Sequence, residues 1–281
     1  MAKEGKVQFG ICKLHIARKY SDGYGIPHHM PGAEQLTVSN SDNTNNIISA
    51  DNGEYYNGNG AANKTADLQV AKFDNFYLTQ ILGLIEEQGG LTESDGTMKE
   101  FALMWEVDGN DGGDRFVWFD CTSTVPTATF ATNNADGTIT EASETAAITA
   151  KRTEMADGTR RLSHRKHKGA VGYNTFFDKV PFAAVHVEAD TTLSALTVGT
   201  ETLTPTFDAD KTEYSVTTDG ASATITATAT ASGAAVNINV NGTNVDSGST
   251  ATWLDGENSV TITVTNGEDE TIYRVTVNHT A

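Results

Sequence analysis

Basic side chains are scarce in this chain. It carries 19 Lys and Arg against 37 Asp and Glu over 281 residues, a formal net charge of −18. A surface built to hold nucleic-acid phosphates needs clustered Lys and Arg, so that class of function is disfavoured. The same charge is compatible with DNA as a passing cargo, because repulsion prevents sticking. Long apolar runs are lacking too. No stretch approaches the ~20 residues that a membrane span requires, so no membrane partner is expected. The N-terminus, Met1-Ala-Lys-Glu-Gly-Lys-Val-Gln-Phe-Gly10, has no apolar core of about 7–15 residues and does not read as a signal peptide. These two absences predict a soluble product made in a cytoplasm. The two cysteines, Cys12 and Cys121, sit in apolar strand-like stretches. They read as buried thiols in a reducing compartment, with a disulfide between them left open.

Enzyme signatures are also missing. The chain has no Gly-x-Ser-x-Gly elbow, no His-Glu-x-x-His and no phosphate-cradling Gly-x-x-x-x-Gly-Lys. No catalytic residue, cofactor or metal ligand is therefore assigned. Asp108-Gly-Asn-Asp-Gly-Gly-Asp114 looks at first like a calcium loop. Its fifth position is Gly112 and its twelfth is Phe119, where a bidentate Glu is needed; a hairpin tip is the better reading. Asp208, Asp210 and Glu213 read as turn caps before a strand rather than calcium ligands. His28-His29 follows Gly25-Ile-Pro27 in a loop. His164 and His167 lie in a cationic run with no carboxylate or thiol companion, a poor setting for a metal.

Composition changes near residue 190. From Thr191 to Ala281 there are 23 Thr in 91 residues, and Lys211 and Arg274 are the only basic side chains. A domain at 1–186, a linker at 187–192 and a second domain at 193–281 follow. The second reads as all-β. Thr224-Ile-Thr-Ala-Thr-Ala-Thr230, Val236-Asn-Ile-Asn-Val240 and Val260-Thr-Ile-Thr-Val264 alternate strictly, which gives each strand one buried and one wet face. Thr is β-branched and suits the wet face of a strand. Asn241-Gly, Asp255-Gly and Asn266-Gly punctuate the strands as turns, and short strands at regular spacing suggest a sandwich. The order Leu193-Ser-Ala-Leu-Thr-Val198, Leu203-Thr-Pro-Thr-Phe-Asp208, Tyr214-Ser-Val216, Gly256-Glu-Asn-Ser-Val-Thr-Ile-Thr-Val264 and Ile272-Tyr-Arg-Val-Thr-Val277 resembles the cadherin-like, Ig-like β-sandwich domains.

The first domain reads as mainly β with one helix over Asp74–Ile85. Asp74 is a plausible N-cap, Tyr77, Ile81 and Leu84 share a face, and Gly89-Gly90 would end the helix. Three segments stand out in order: Ala50-Asp-Asn-Gly-Glu-Tyr-Tyr56 running on to Ala66-Asp-Leu-Gln-Val-Ala71; Phe73-Asp-Asn-Phe-Tyr-Leu-Thr-Gln-Ile-Leu-Gly83; and Phe101-Ala-Leu-Met-Trp-Glu-Val107 before Arg115-Phe-Val-Trp-Phe-Asp-Cys-Thr122. They read as a strand pair with a polar insert, a short amphipathic helix and a long hairpin. Over roughly residues 5–183 they resemble the major tail (tail tube) proteins of long non-contractile-tailed bacteriophages.

That resemblance implies a β-sandwich or barrel-like core with one flanking α-helix. It also implies a structural role in the virion: hexameric rings that stack into a hollow tube, the conduit for DNA ejection. Implied partners are other copies of the chain, the tape measure protein, the tail terminator and the distal tail proteins. Genomic DNA would transit the lumen without specific binding. The subunit would be assembled in the host cytoplasm, with the second domain decorating the exterior and touching host-surface glycans weakly. Two segments are candidate subunit contacts. Asn40–Asn63 is rich in Asn, Gly and Asp, with Ile47, Ile48, Tyr55 and Tyr56 as apolar islands. It reads as a hairpin arm that orders on docking to another subunit. The basic run holding Arg160, Arg161, Arg165, Lys166 and Lys168 reads either as a solvated strand-turn-strand about Asp157-Gly158 or as a contact facing acidic surface on a neighbour. A surface adhesin or carbohydrate-binding protein is the alternative class, and an enzyme with unrecognised carboxylates a further one.

Overall fold

A computed structural model describes residues 7–40, 45–50, 53–59, 63–87, 90–93, 96–109, 112–128, 130 and 142–280. Contacts divide the chain into two units, Met1–Glu86 with Leu91–His186, and Glu87–Gly90 with Val187–Ala281. Both are mainly β.

The first unit is built on β1 (Gln8–Arg18), β2 (Ala33–Asn40), β3 (Lys64–Val70), β4 (Phe101–Gly109), β5 (Asp114–Ser123), β6 (Glu144–Ala150) and β7 (Ser163–Lys166). With two short strands they make a nine-stranded sheet in the order His28–His29, β1, β4, β5, β6, β3, β2, in which β7 also pairs with β5 and Thr127–Ala128 with β6. The β4–β5 hairpin is its centre. Phe101, Leu103, Trp105, Trp118 and Cys121 pack on one side with Leu14, Ile16, Leu68, Tyr77 and Ile148. Ala102, Met104, Val117 and Phe119 pack on the other with Tyr24, Met155, Phe176 and Val180. Burial on both faces explains why Phe101–Trp105 is continuously apolar instead of alternating.

Halfway along, β5 changes partner. Arg115–Trp118 lies against Lys166–Ser163 of β7, while Cys121–Ser123 lies against Ala150–Ile148 of β6. The switch falls at a register shift between Trp118 and Cys121, where Asp120 has φ +43°. This is how a bulge bends a sheet. The buried Asp120 carboxylate is satisfied there by the Tyr24 hydroxyl and by Lys19 Nζ at 2.6 Å.

The expected helix is largely replaced. Asp74 does cap it: its carboxylate Oδ1 accepts the Tyr77 N–H at 2.9 Å. The turn then widens into a π-helix over Tyr77–Ile81 and closes at Gly83, with φ +78°. The Leu84 N–H reaches back to Leu78 O at 3.0 Å, a glycine-terminated stop. Ile85 belongs to a short strand, Ile85–Glu87. The helix therefore ends at Gly83, not at Gly89-Gly90, because Gly83 supplies the left-handed backbone that ends it first.

The second unit contains β8 (Leu193–Val198), β9 (Glu213–Thr218), β10 (Ser222–Ala229), β11 (Ala235–Val240), β12 (Ser249–Thr252), β13 (Gly256–Asn266) and β14 (Asp269–His279). One sheet runs β8-β10-β12; the other runs β9-β14-β13-β11 with Thr243–Val245 at its edge. The alternating residues do what their period predicts: Val260, Ile262, Val264, Tyr273, Val275 and Val277 are buried between the sheets with Leu196, Ile225 and Trp253. Tyr214 ties the turn before β9, its hydroxyl 2.6 Å from Asp208 O and 2.9 Å from Lys211 O.

Candidate functional site

Asn45–Ala50 and Gly53–Asn59 pair with each other, placing Ile47 opposite Asn57 and Ile48 opposite Tyr56, with Tyr55 in the same strand. This corrects the expected strand pair. Ala50–Tyr56 does not pair with Ala66–Ala71; β3 instead lies between β2 and β6. The register joining Ala50 to Gly53 closes the shortest loop available, which costs the least chain entropy. Among the described residues these two strands form a two-stranded sheet joined to no other strand. Such a hairpin is marginal by itself.

The hairpin follows β2, an edge strand. β2 pairs with β3 on one side, and no described strand pairs with its other side. At the far end of the same sheet, Gln8–Lys13 of β1 pairs only with β4, since His28–His29 meets β1 at His15 and Ile16 alone. The sheet curls so that these two ends approach. Gln8–Ile11 and Glu34–Val38 flank a cleft of about 390 Å³ whose floor is Trp105, Val107 and Phe116. Trp105 and Phe116 stack there, with ring centroids 5.3 Å apart. Phe9 is 57% exposed and Val38 47% exposed at its rim. The barrel-like sheet is thus left open along an apolar seam. Sequence reasoning missed these residues. Leu36-Thr-Val38 and Val7-Gln-Phe9 alternate like ordinary half-buried strands, and nothing local reveals that their apolar faces meet each other across a gap.

The basic run forms a strand-turn-strand, with Thr153–Glu154 paired to Arg160–Arg161 and the Gly158 N–H bonded to Met155 O. Much of its charge is met internally. Arg161 makes two 2.8 Å bonds to the Asp157 carboxylate and lies 4.4 Å over the Phe182 ring. Arg165 binds Asp114 at 2.8 Å. Lys166 donates to Val171 O at 3.2 Å. Arg160 and Lys168 are exposed. The two histidines of this run have separate roles: His164 packs against Phe182, and His167 binds Asp114 at 3.1 Å.

Among the described residues Glu106 and Arg115 form the most buried ion pair of this unit, at 2.7 Å, with Lys13 Nζ also 3.1 Å from Glu106. Burial pushes the Glu106 carboxyl up, and the Arg115 and Lys13 hydrogen bonds outweigh it, so its pKa lies below 4.5. Cys12, Glu106 and Asp108 are the one group of potential metal donors close together among the described residues. Glu106 is already taken by its two cations, and burial with Asp108 and Glu106 pushes the Cys12 thiol up, away from the thiolate a metal needs. Both cysteines are free. His15 faces His29, with ring centroids 4.9 Å apart, and stacks on Phe177. His28 instead binds Asp74 at 2.8 Å. In the second unit Asp208 Oδ1 caps the Asp210 N–H and Glu213 pairs with Arg274, so these carboxylates serve the turn.

Residues 185–280 match the family of the cadherin-like beta sandwich domain. The C-terminal unit is a cadherin-like β-sandwich. No curated protein matches the chain. No helix of the described residues is long and apolar enough to cross a membrane.

Proposed function

We propose that this chain is a tail tube subunit of a long non-contractile-tailed bacteriophage. Its copies polymerise as stacked, hexameric rings into the conduit for DNA ejection, and the cadherin-like sandwich decorates the exterior. The observation that carries this reading is the pairing deficit of the first unit. Among the described residues the hairpin belongs to no larger sheet, and it follows in sequence an edge strand that borders an apolar cleft. An unpaired edge is a template for another chain, and a head-to-tail contact between different surfaces generates rings or filaments. The net charge of −18 suits a long polymer that must stay soluble and let DNA slide past. Partners in this reading are other copies, the tape measure protein, the tail terminator and the distal tail proteins, within the virion. No catalytic chemistry is proposed. Replacing Asn45–Asn59 with a short Gly-Ser turn tests it: sedimentation should show that assembly is lost while the melting curve is kept. Unchanged assembly would reject the role given to the hairpin.

The second reading is a surface adhesin or carbohydrate-binding protein, favoured by the cadherin-like sandwich alone. A multivalent display of the chain on a glycan array separates the two; a blank array ends the adhesin reading.

A further inference from the structure

We infer that the seam between Gln8–Ile11 and Glu34–Val38 is a strand-acceptor slot, and that its occupant is the Asn45–Asn59 hairpin of a second copy. The inference rests on the self-assembly reading above and names where on the subunit that contact is made.

The slot offers an added strand an unpaired backbone edge and an apolar floor. Its two walls are backbone edges with no strand partner among the described residues, the outer side of β2 and the Gln8–Lys13 part of β1. Its floor is the stacked Trp105–Phe116 pair with Val107. An inserted strand would pair its amides with a wall and set alternate side chains on the floor. It would also cover Phe9 and Val38, two exposed large apolar side chains of this unit.

The occupant follows from what the chain itself lacks. Among the described residues the slot lacks a strand, and the hairpin Asn45–Ala50 with Gly53–Asn59 lacks a sheet. Its strands are 6 and 7 residues long, roughly 20 Å at the usual rise, enough to run the length of the Glu34–Val38 wall. Within the paired segments Glu54 is the only charged residue, beside Ile47, Ile48, Tyr55 and Tyr56. No charge barrier therefore opposes entry into an apolar cleft. The hairpin leaves from the end of β2 and each subunit carries one of each part. Donor and acceptor are thus different surfaces, and the contact propagates from copy to copy instead of closing a symmetric dimer.

Paired chains with one introduced cysteine each, both keeping the buried Cys121, test this. One full-length chain carries Cys12→Ser and Val38→Cys. The other carries Cys12→Ser with either Ile47→Cys or Ile48→Cys, since neighbouring residues on a strand face opposite sides. The two are mixed under assembly conditions, oxidised mildly, and read by non-reducing electrophoresis and mass spectrometry. The expected result is a disulfide between the unlike chains that exceeds both like-chain products. Assembled rings or tubes without that disulfide overturn the slot while leaving the tube reading intact. The disulfide without rings or tubes supports the slot and rejects the tube. A Val38→Cys, Ile48→Cys double variant that links only within one chain overturns the slot, as does a chain that stays monomeric at every concentration, with or without isolated tail tips. A second variant needs no chemistry: Phe9→Asp with Val38→Asp, both at exposed positions, should raise the concentration needed for assembly at least about tenfold. An unchanged threshold counts against the slot.

Discussion

Arg115 and Glu106 sit directly opposite each other on β5 and β4, with Arg115 Nε 2.7 Å from Glu106 Oε2. The guanidinium also lies 4.0 Å over the Tyr173 ring and donates to Tyr173 O. One side chain thus fastens the central hairpin to the irregular segment that carries Phe176 and Val180 into the second core layer.

Removing one member of such a pair leaves a buried charge without its partner. Arg115→Ala should destabilise the first unit by about 3–5 kcal/mol, measured as a lower urea midpoint at unchanged slope. Because the Glu106 carboxyl is held below 4.5, its contribution is complete above that value and is lost as pH falls through the depressed pKa. The acid limb of the stability curve should accordingly be shallower in Glu106→Gln than in the natural chain.

His15 is also held below its ordinary value, here with the neutral form favoured. Burial lowers its pKa below 6.5, and the neighbouring His29, His28 and Arg115 add to that, against a hydrogen bond to Lys13 O that raises it. The folded chain favours neutral His15, so its share of stability is present above 6.5 and is lost as pH falls below it. In His15→Phe the drop in melting temperature between pH 7 and pH 5.5 should be smaller. An identical drop would mean that other groups carry it.

At Asp74 the cap can be separated from the charge. Asp74→Ala removes the bond to the Tyr77 N–H and the 2.8 Å contact with His28, and should cost about 1 kcal/mol. Asp74→Asn keeps an oxygen acceptor and should recover most of that in the same denaturation series.

The turn before β9 is predicted to need no ion. Asp208 caps the Asp210 N–H, and the Tyr214 hydroxyl binds Asp208 O and Lys211 O. Adding calcium or chelator should leave the melting of the second unit unchanged, whereas Tyr214→Phe should cost about 1 kcal/mol.

The sandwich was legible because each strand has one wet face, and Thr261-Ile-Thr263 against Ile272-Tyr-Arg274 shows that alternation without any knowledge of partners. The β4–β5 hairpin was legible for the opposite reason: an unbroken apolar run flanking a Gly-rich tip. The helix was overextended because periodicity counts Leu84 and Ile85 with Ile81. It is blind to a Gly83 at φ +78° that ends the helix between them. The seam was not legible at all. Phe9, Val38 and Phe116 come together through the curl of the whole sheet, a long-range relation that no local pattern encodes.

The central claim is that this chain polymerises, and electron microscopy in negative stain of the purified chain over a concentration series tests it most directly. The account predicts rings or hollow tubes of uniform diameter that appear above a threshold concentration, or on addition of isolated tail tips. Single particles of monomer size at every concentration, with or without tail tips, would contradict it.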